Sequence, residues 1–396
     1  MKRDIDYLFI IRGLAYNTKN GAVNKQIYHI ADYLITCGYK ISILSLTNPL
    51  KDFDEMYNTR LSHKLSIKFK VIYYIHNNMI FGAITKFFLK FIFNDSIKRV
   101  KVYSNINILK KLNIKNVITP YWWGVLFSSN YLNKNNIYYI IYHNYESSNA
   151  ISSEFESCTS NIELVRDYIL KSYNLGNKIA GSSNISSKFT NEKIPILREG
   201  IDTSKYDAKI SPEEKKDFII IMPLRAQKMK GAIYALRAAI LIHNKYKDIY
   251  FESFGDYKGD IPPFIIHHGL ISTKKLIKLY GKGKIFILPS LEEGLSEVLL
   301  EAMLNGNAII STNAGDSKYI IKNFYNGILV PIKDEISIFN AVSYLYTHND
   351  ILLKLADNGI STAKAYDYRI MVRDISSALE YYKNKNYKNS VTKSDY

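Results

Sequence analysis

The chain has 396 residues, 47% hydrophobic and 22% charged, with a formal net charge of +17 and a pI near 9.4. That length exceeds what one hydrophobic core usually organises, so two domains are expected, and the composition excludes collagen, a coiled coil and extended disorder. The positive excess calls for an anionic partner, whether nucleic acid, anionic lipid or phosphorylated small molecules, and two isolated cysteines, Cys37 and Cys158, exclude a disulfide framework and a zinc site.

The N-terminus, Met-Lys-Arg-Asp-Ile-Asp, carries acid and enters an apolar run broken by Arg12, which is unlike a signal peptide, so a cytoplasmic protein is expected. Tyr7 to Ile11 reads as a first strand. Asn20-Gly21 follows as a turn, Val23 to Ile35 as a helix stopped by Gly38, and Lys40 to Ser45 as a second strand. No apolar stretch reaches the roughly 20 residues that span a bilayer. Met79 to Phe93 comes nearest, interrupted by Lys86 and Lys90 and followed by Lys98, Arg99, Lys101, Lys110 and Lys111. This basic, aromatic segment is a candidate for peripheral contact with the inner face of an anionic membrane through the N-terminal domain, weighed against a buried core helix. Asn116 to Thr119, Ile137 to Tyr142 and Lys178 to Gly181 complete a first unit, assigned to residues 1–197.

A second unit, residues 198–396, starts at Arg198-Glu-Gly-Ile-Asp202. Its expected strands are Phe218 to Met222, Ile249 to Phe254, Lys284 to Leu288, Ala308 to Ser311 and Gly327 to Val330, with helices at Gly231 to Lys245 and Glu297 to Leu304. The Lys-, Asn- and Ser-rich tail from Tyr382 is expected to fray, while the final helix is a candidate to pack back on the first domain. Apolar runs alternating with helical periods predict an α/β protein of two doubly wound domains with a cleft between them, where ligands bind beyond the C-terminal ends of the strands.

The strongest chemical signal is Pro289-Ser-Leu-Glu-Glu-Gly-Leu-Ser-Glu-Val-Leu-Leu-Glu-Ala-Met303. It follows a buried strand, turns at Gly294 and enters a helix that Ser296 can cap. The free amides of Gly294, Leu295 and Ser296 and the positive helix end suit a phosphate or sugar hydroxyls. Glu293 faces the ligand from the turn, and Glu301 sits deeper beside apolar neighbours, where ribose hydroxyls would supply its missing donors. The plain alternative is that both are solvated helix-end acids. A second signal, Pro223-Leu-Arg-Ala-Gln-Lys-Met-Lys-Gly231, brings Arg225 and Lys230 to a loop where two cations can meet a diphosphate without metal. Its alternative is a solvated basic loop.

Arg225, Lys230-Gly231, Pro289-Ser290, Glu293-Gly294 and Glu301 match in order and spacing the donor domain of the retaining glycosyltransferases of family 4, which have the GT-B fold of two facing Rossmann-like domains. Asn20-Gly21-Ala22, Leu197 to Thr203, Asn307 to Gly315 and Asn326 to Pro331 extend the resemblance over most of the chain. The first loop has one glycine where the family often has two, and Glu199 replaces a usual Asn.

The resemblance implies transfer of a sugar, with retention, from a nucleotide-diphosphate sugar to a glycan or lipid-linked acceptor, with no cofactor and no metal. It also implies that Arg225 and Lys230 neutralise the diphosphate, that Glu301 holds the ribose, and that Glu293 holds the transferred sugar. His143, after the strand ending at Tyr142, is a lesser candidate for the sugar or acceptor, and Gly21 allows close approach of a ligand to the backbone. Asp4-Ile5-Asp6 has the acid-x-acid form of metal-dependent transferases but precedes the first strand, far from the donor motifs. A nucleic-acid-binding protein is the alternative of another class, but no zinc-finger spacing, RNP motif or basic heptad helix supports one. A sugar phosphorylase or a nucleotide-sugar epimerase is the alternative within this fold.

Overall fold

The computed structural model describes residues 3–12, 21–46, 101–103, 106–120, 124–125, 128, 132, 137–142, 175–181, 194–206 and 210–391. Two compact units result, one formed by the chain up to Leu197 together with the chain from Val372 onward, the other by Arg198–Met371.

The first unit contains β1 (Arg3–Arg12), α1 (Gly21–Thr36), β2 (Ile41–Leu46), β3 (Lys101–Tyr103), β4 (Leu112–Thr119), β5 (Ile137–Tyr142) and β6 (Asn177–Ala180). Its strands form one parallel sheet in the order β3-β2-β1-β4-β5-β6. Tyr7 through Ile11 are all buried, without alternation, as expected of a central strand in a parallel sheet. Gly38, at φ 89°, ends α1 in the left-handed conformation that a side chain disfavours. The two acids of Asp4-Ile5-Asp6 stitch β1 to its surroundings. Asp4 accepts from Asn113 Nδ2 at 2.7 Å, and Asp6 accepts from Lys115 Nζ and from the Lys40 amide, each at 2.8 Å.

The second unit contains α2 (Thr203–Tyr206), β7 (Phe218–Pro223), α3 (Ala232–Lys245), β8 (Ile249–Phe254), β9 (Ile265–His267), α4 (Thr273–Lys282), β10 (Ile285–Leu288), α5 (Glu297–Leu304), β11 (Ala308–Thr312), α6 (Ser317–Ile320), β12 (Ile328–Val330), α7 (Glu335–Thr347), α8 (Asn349–Ala365) and α9 (Tyr368–Met371). Its parallel sheet runs β12-β11-β10-β7-β8-β9, the doubly wound order in which winding reverses between β7 and β10. One apolar cluster lies under α3 and α7, and a second under α4 and α5. Each fully buried Ile or Leu in them contributes roughly 1.5–3 kcal/mol.

Lys215 is buried between the ends of α4 and α5. Its ammonium donates to the carbonyls of Gly283 and Asn305 at 2.7 Å, of Gly306 at 2.6 Å and, at longer range, of Tyr280 at 3.5 Å. Burial pushes this ammonium down to about 7, and Lys284 pushes the same way. Opposing both are the carbonyl cage and the negative ends of two helices, which favour the charged form.

The last helix, α10 (Asp374–Val391), belongs to the first unit. Ile375, Ala378, Leu379 and Tyr382 are buried against Tyr7, Tyr139 and Ile179, and the Tyr382 hydroxyl donates to the Lys178 carbonyl. Tyr382, where the sequence reading starts a frayed tail, is thus anchored, while the side chains from 385 onward lie outside the described residues. A narrow apolar stripe at helical spacing, Ile375, Ala378, Leu379 and Tyr382, anchors the first part of the helix. Met79 to Phe93 and Cys158 lie outside the described residues, and no helix among the described residues is long and apolar enough to cross a membrane.

The chain enters the second unit at Arg198 and leaves after Met371, and these two passages are clasped together. The Ile201 amide donates to the Tyr366 carbonyl at 3.0 Å, and the Tyr368 amide to the Ile201 carbonyl at 2.9 Å. A Cβ on Gly200 would lie 2.6 Å from the Tyr368 Cα. Asp367 accepts from the Thr203 hydroxyl and from Arg369 Nη2, the latter at 2.7 Å. Burial pushes the Asp367 carboxyl up, but the hydrogen bonds from Thr203 and Arg369 outweigh it and hold the group below its ordinary value of 3.8. A carboxyl depressed in the folded state stabilises the fold above its unfolded value and loses that contribution as pH falls. In urea titrations from pH 6 to pH 3, stability of the natural protein should therefore fall more steeply below about pH 4 than that of Asp367→Asn, and parallel curves would contradict the clasp.

Candidate functional site

β7 and β10 are neighbours in the sheet, and the reversal of winding between them sends the loops that follow toward opposite faces, which opens a crevice at the ends of these two strands. The two loops are joined through their backbones. The Met229 carbonyl accepts from the Leu291 amide at 2.7 Å and from the Glu292 amide at 3.3 Å. Gly231 has φ 66°, and a Cβ there would stand 1.9 Å from the Pro289 carbonyl oxygen. Only glycine allows both that conformation and that approach.

This junction brings Lys230 onto Glu293. Lys230 Nζ donates to both carboxylate oxygens, at 2.7 and 2.8 Å, and Ser290 Oγ donates to one of them at 2.8 Å. The loop after β11 braces the same turn from behind. The Asp316 amide donates to the Gly294 carbonyl at 3.1 Å, and Gly315, at φ 57°, would place a Cβ 1.8 Å from the Glu293 carbonyl oxygen.

Arg225 is fixed by the loop after β8. Its Nε donates to Asp256 Oδ1 at 3.0 Å, and the Ala226 amide reaches the same oxygen at 3.1 Å. Burial pushes the Asp256 carboxyl up, but the Ala226 amide and the Arg225 charge outweigh it and lower it below 3.8. Gly255, at φ 132°, makes this possible, since a Cβ there would meet the Leu224 carbonyl oxygen at 2.0 Å. The salt bridge uses one guanidinium N–H, and the four terminal N–H groups are not part of it.

Ser296 occupies the N-cap of α5, as its place in the sequence predicts, but its hydroxyl makes no capping bond, which corrects the expected side-chain cap. The side chain is buried, and β-region backbone at φ −90° starts the helix without it. Leu295 is buried too, so its part at this turn can come only from its backbone. Glu301, one turn further on, is 4% exposed, and Oε2 accepts from the Tyr280 hydroxyl at 3.2 Å. Burial and, after it, the nearby Glu301 charge push the Tyr206 phenol up. A ligand is therefore not the first source of donors for this acid, a change from the expectation that ribose alone would supply them.

Arg225, Lys230, Glu293, Gly294 and Glu301 thus lie on the loops and helix at the reversal point of one sheet. Gly21 opens α1 in the first unit, while the loop before it and His143 lie outside the described residues. The sequence reading misses Asp256, Ser290, Tyr206 and Tyr280. An acid directly after a Gly that ends a strand was the available signal for Asp256, but no spacing rule points to the tyrosines.

Residues 204–362 match the family described as glycosyl transferases group 1. The UDP-Gal:α-D-GlcNAc-diphosphoundecaprenol α-1,3-galactosyltransferase of Escherichia coli is 27% identical over 173 residues, 38% of this chain and 44% of that protein. The alignable stretch thus spans less than half the length of this curated relative. A glycosyltransferase from Rickettsia africae superposes with a TM-score of 0.64 at 18% identity, covering 97% of this chain and 98% of that one. HepE of Anabaena in complex with UDP-glucose gives 0.64 at 12% identity, covering 94% and 99%. These likenesses show the fold, two Rossmann-like domains in the GT-B arrangement of elements.

The loop junction can be tested through two glycines that share a left-handed backbone. A Cβ at Gly269, which has φ 65°, would meet nothing within 4 Å, whereas one at Gly231 meets Pro289. In chemical denaturation Gly231→Ala should cost about 2 kcal/mol or more beyond Gly269→Ala. Equal losses would mean that the junction carries no constraint.

Proposed function

We propose, from the match of residues 204–362 to the glycosyl transferases group 1 family, that this chain is a glycosyltransferase taking its sugar from a nucleoside-diphosphate sugar. The observation that carries the reading is the junction of the loops after β7 and β10, which sets Lys230, Glu293 and the start of α5 together while Arg225 is held alongside by Asp256. The donor diphosphate lies on this surface, against the cations Arg225 and Lys230 and the amides from Gly294 to Ser296. Glu293 binds hydroxyls of the sugar to be transferred, and Glu301 binds the ribose.

In the reaction the acceptor oxygen bonds to the anomeric carbon, and the bond from that carbon to the β-phosphate oxygen breaks. The acceptor proton goes to the medium or to the departing phosphate. Negative charge grows on the leaving diphosphate, and fixed cations and amides stabilise it most when they need not reorganise. In the structure both cations already hold their places against carboxylates, so the diphosphate meets a preset pair. Two cations and a helix end supply the charge that a divalent metal would otherwise bring, so the transfer is proposed to be metal-independent. Retention of configuration follows the resemblance of the donor motifs to retaining enzymes.

The acceptor is proposed to be a glycan on a lipid diphosphate. In support, the Escherichia coli relative is named for a diphosphoundecaprenol acceptor, as is an α-1,3-N-acetylgalactosaminyltransferase of Campylobacter jejuni. The basic chain would then work at an anionic membrane surface.

Assayed with a panel of nucleotide sugars, transfer or slow donor hydrolysis should persist in excess chelator. Arg225→Ala and Lys230→Ala should each lower the rate on the order of a hundredfold. Activity abolished by chelator and restored by manganese would overturn the metal-independent reading.

A further inference from the structure

The stretch from Ser317 to Lys333 carries Lys318, Lys322 and Lys333 and no acid. Its core positions are filled by Ile320, Ile321, Ile328 and Val330, all buried. Tyr319, Phe324 and Tyr325 are left over, and each is half exposed or more. A single exposed ring is ordinary, but three within seven positions of one helix and turn are a concentration of apolar surface that the fold itself does not use. Lysines stand over two of the rings. Lys318 Nζ lies 5.1 Å from the centre of the Tyr319 ring, and Lys322 Nζ 5.7 Å from that of Tyr325.

The turn from Lys322 to Gly327, which joins α6 to β12, is pinned from beneath. The buried Asn326 accepts from the Lys322 amide at 2.8 Å and donates to the Ile320 carbonyl at 3.0 Å and to the Thr362 hydroxyl of α8 at 2.9 Å. Asn358, also of α8, donates to the Tyr325 carbonyl at 2.7 Å. Asn323 accepts from the Leu329 amide at 3.0 Å, and the Phe324 amide donates to the Gly327 carbonyl at 2.9 Å. Within this frame Phe324 has φ 58°, a left-handed backbone that disfavours a bulky side chain. Its ring meets Tyr344 edge-on at 5.8 Å between centroids, yet the residue stays more than half exposed. Strain that holds an aromatic residue at the surface of so pinned a turn calls for a reason outside the fold.

We propose that this turn, with its lysines and rings, docks the second unit on an anionic lipid bilayer. Tyr319, Phe324 and Tyr325 enter the headgroup layer, and Lys318 and Lys322 meet the lipid phosphates. Charge decides for this partner. A second copy of the chain docked by the same face would set lysine against lysine, whereas a bilayer with anionic headgroups over an apolar interior answers both the lysines and the rings. A turn that is already fixed loses little freedom on docking. The proposal rests on the reading that the chain works at a membrane surface, and adds a contact in the unit that carries the candidate donor site. Gly315 and Asp316, which brace the Glu293–Gly294 turn, lead directly into α6.

The test is flotation of the full chain with vesicles of phosphatidylcholine alone and of phosphatidylcholine mixed with phosphatidylglycerol. The natural protein should bind the mixed vesicles about tenfold or more better than the neutral ones. The combined change of Tyr319→Ser, Phe324→Asn and Tyr325→Ser should weaken that binding about tenfold or more, and Lys318→Gln with Lys322→Gln about tenfold. Asparagine tolerates the left-handed backbone at 324, so the aromatic variant should keep its fold, which melting curves verify. Should the combined variant fail to fold, Phe324→Asn alone decides. Lys274→Gln with Lys275→Gln removes the same charge from the exposed start of α4 and should leave binding nearly unchanged.

If the natural chain floats with anionic vesicles and both folded turn variants float equally well, the chain reaches the membrane through another surface and the proposal falls alone. If the natural chain floats with neither vesicle, the membrane reading falls with it. An equal loss in the Lys274 and Lys275 control would mean that net charge alone draws the chain to lipid, and would overturn the proposal too. Single-stranded oligonucleotide binding that the aromatic variant abolishes, with flotation unchanged, would assign the turn to nucleic acid instead.

Discussion

The contact of Gly231 with the Pro289 carbonyl is the constraint on which the candidate site depends. Two strands that are neighbours in the sheet would ordinarily send their loops to opposite faces of it, because the winding reverses there. A side chain at position 231 would hold the two loops apart by the bulk of a Cβ, which would stand 1.9 Å from that oxygen. With glycine the loops close far enough for Met229 to accept two amides from the opposite loop, and Lys230 then falls onto Glu293. Gly255 and Gly315 repeat the device with the loops after β8 and β11. Three backbone approaches, each available only to glycine, build one surface from four loops.

The charges on that surface are paired before any ligand arrives, Lys230 with Glu293 and Arg225 with Asp256. Such pairs contribute little to stability where solvent reaches them, and Arg225 is 39% exposed. Their value is geometric, since each carboxylate fixes a long cationic side chain in place. An anionic diphosphate can then exchange with or add to the carboxylate without an ordering cost for the cation. The same logic applies at Glu301, where the Tyr280 phenol donates to a buried acid.

Much of this was legible in the sequence for one physical reason. Central strands of a parallel sheet are buried on both faces, so β7 at Phe218–Pro223 and β10 at Ile285–Leu288 show as unbroken apolar runs with clear ends. The Pro289 to Met303 stretch is legible because a strand, a turn glycine and a helix follow within one short motif. β9 is three residues long after Pro262-Pro263 and offers no pattern to read. The apolar stripe of α10 ends at Tyr382, where the Lys- and Asn-rich run begins, so Tyr382 reads as part of that run. Lys215 and Tyr280 escape sequence reading because their partners are carbonyls and an acid far away in the chain, and no local pattern encodes a contact between Lys215 and Gly306 or between Tyr280 and Glu301.

Hydrogen–deuterium exchange with and without saturating nucleoside diphosphate addresses the central claim most directly, because it reads the backbone that the glycines bring together. The account predicts that protection on binding concentrates in residues 224–231 and 289–301, the loops after β7 and β10 with the first turn of α5. Protection confined to other segments, with these two loops unchanged, would contradict it.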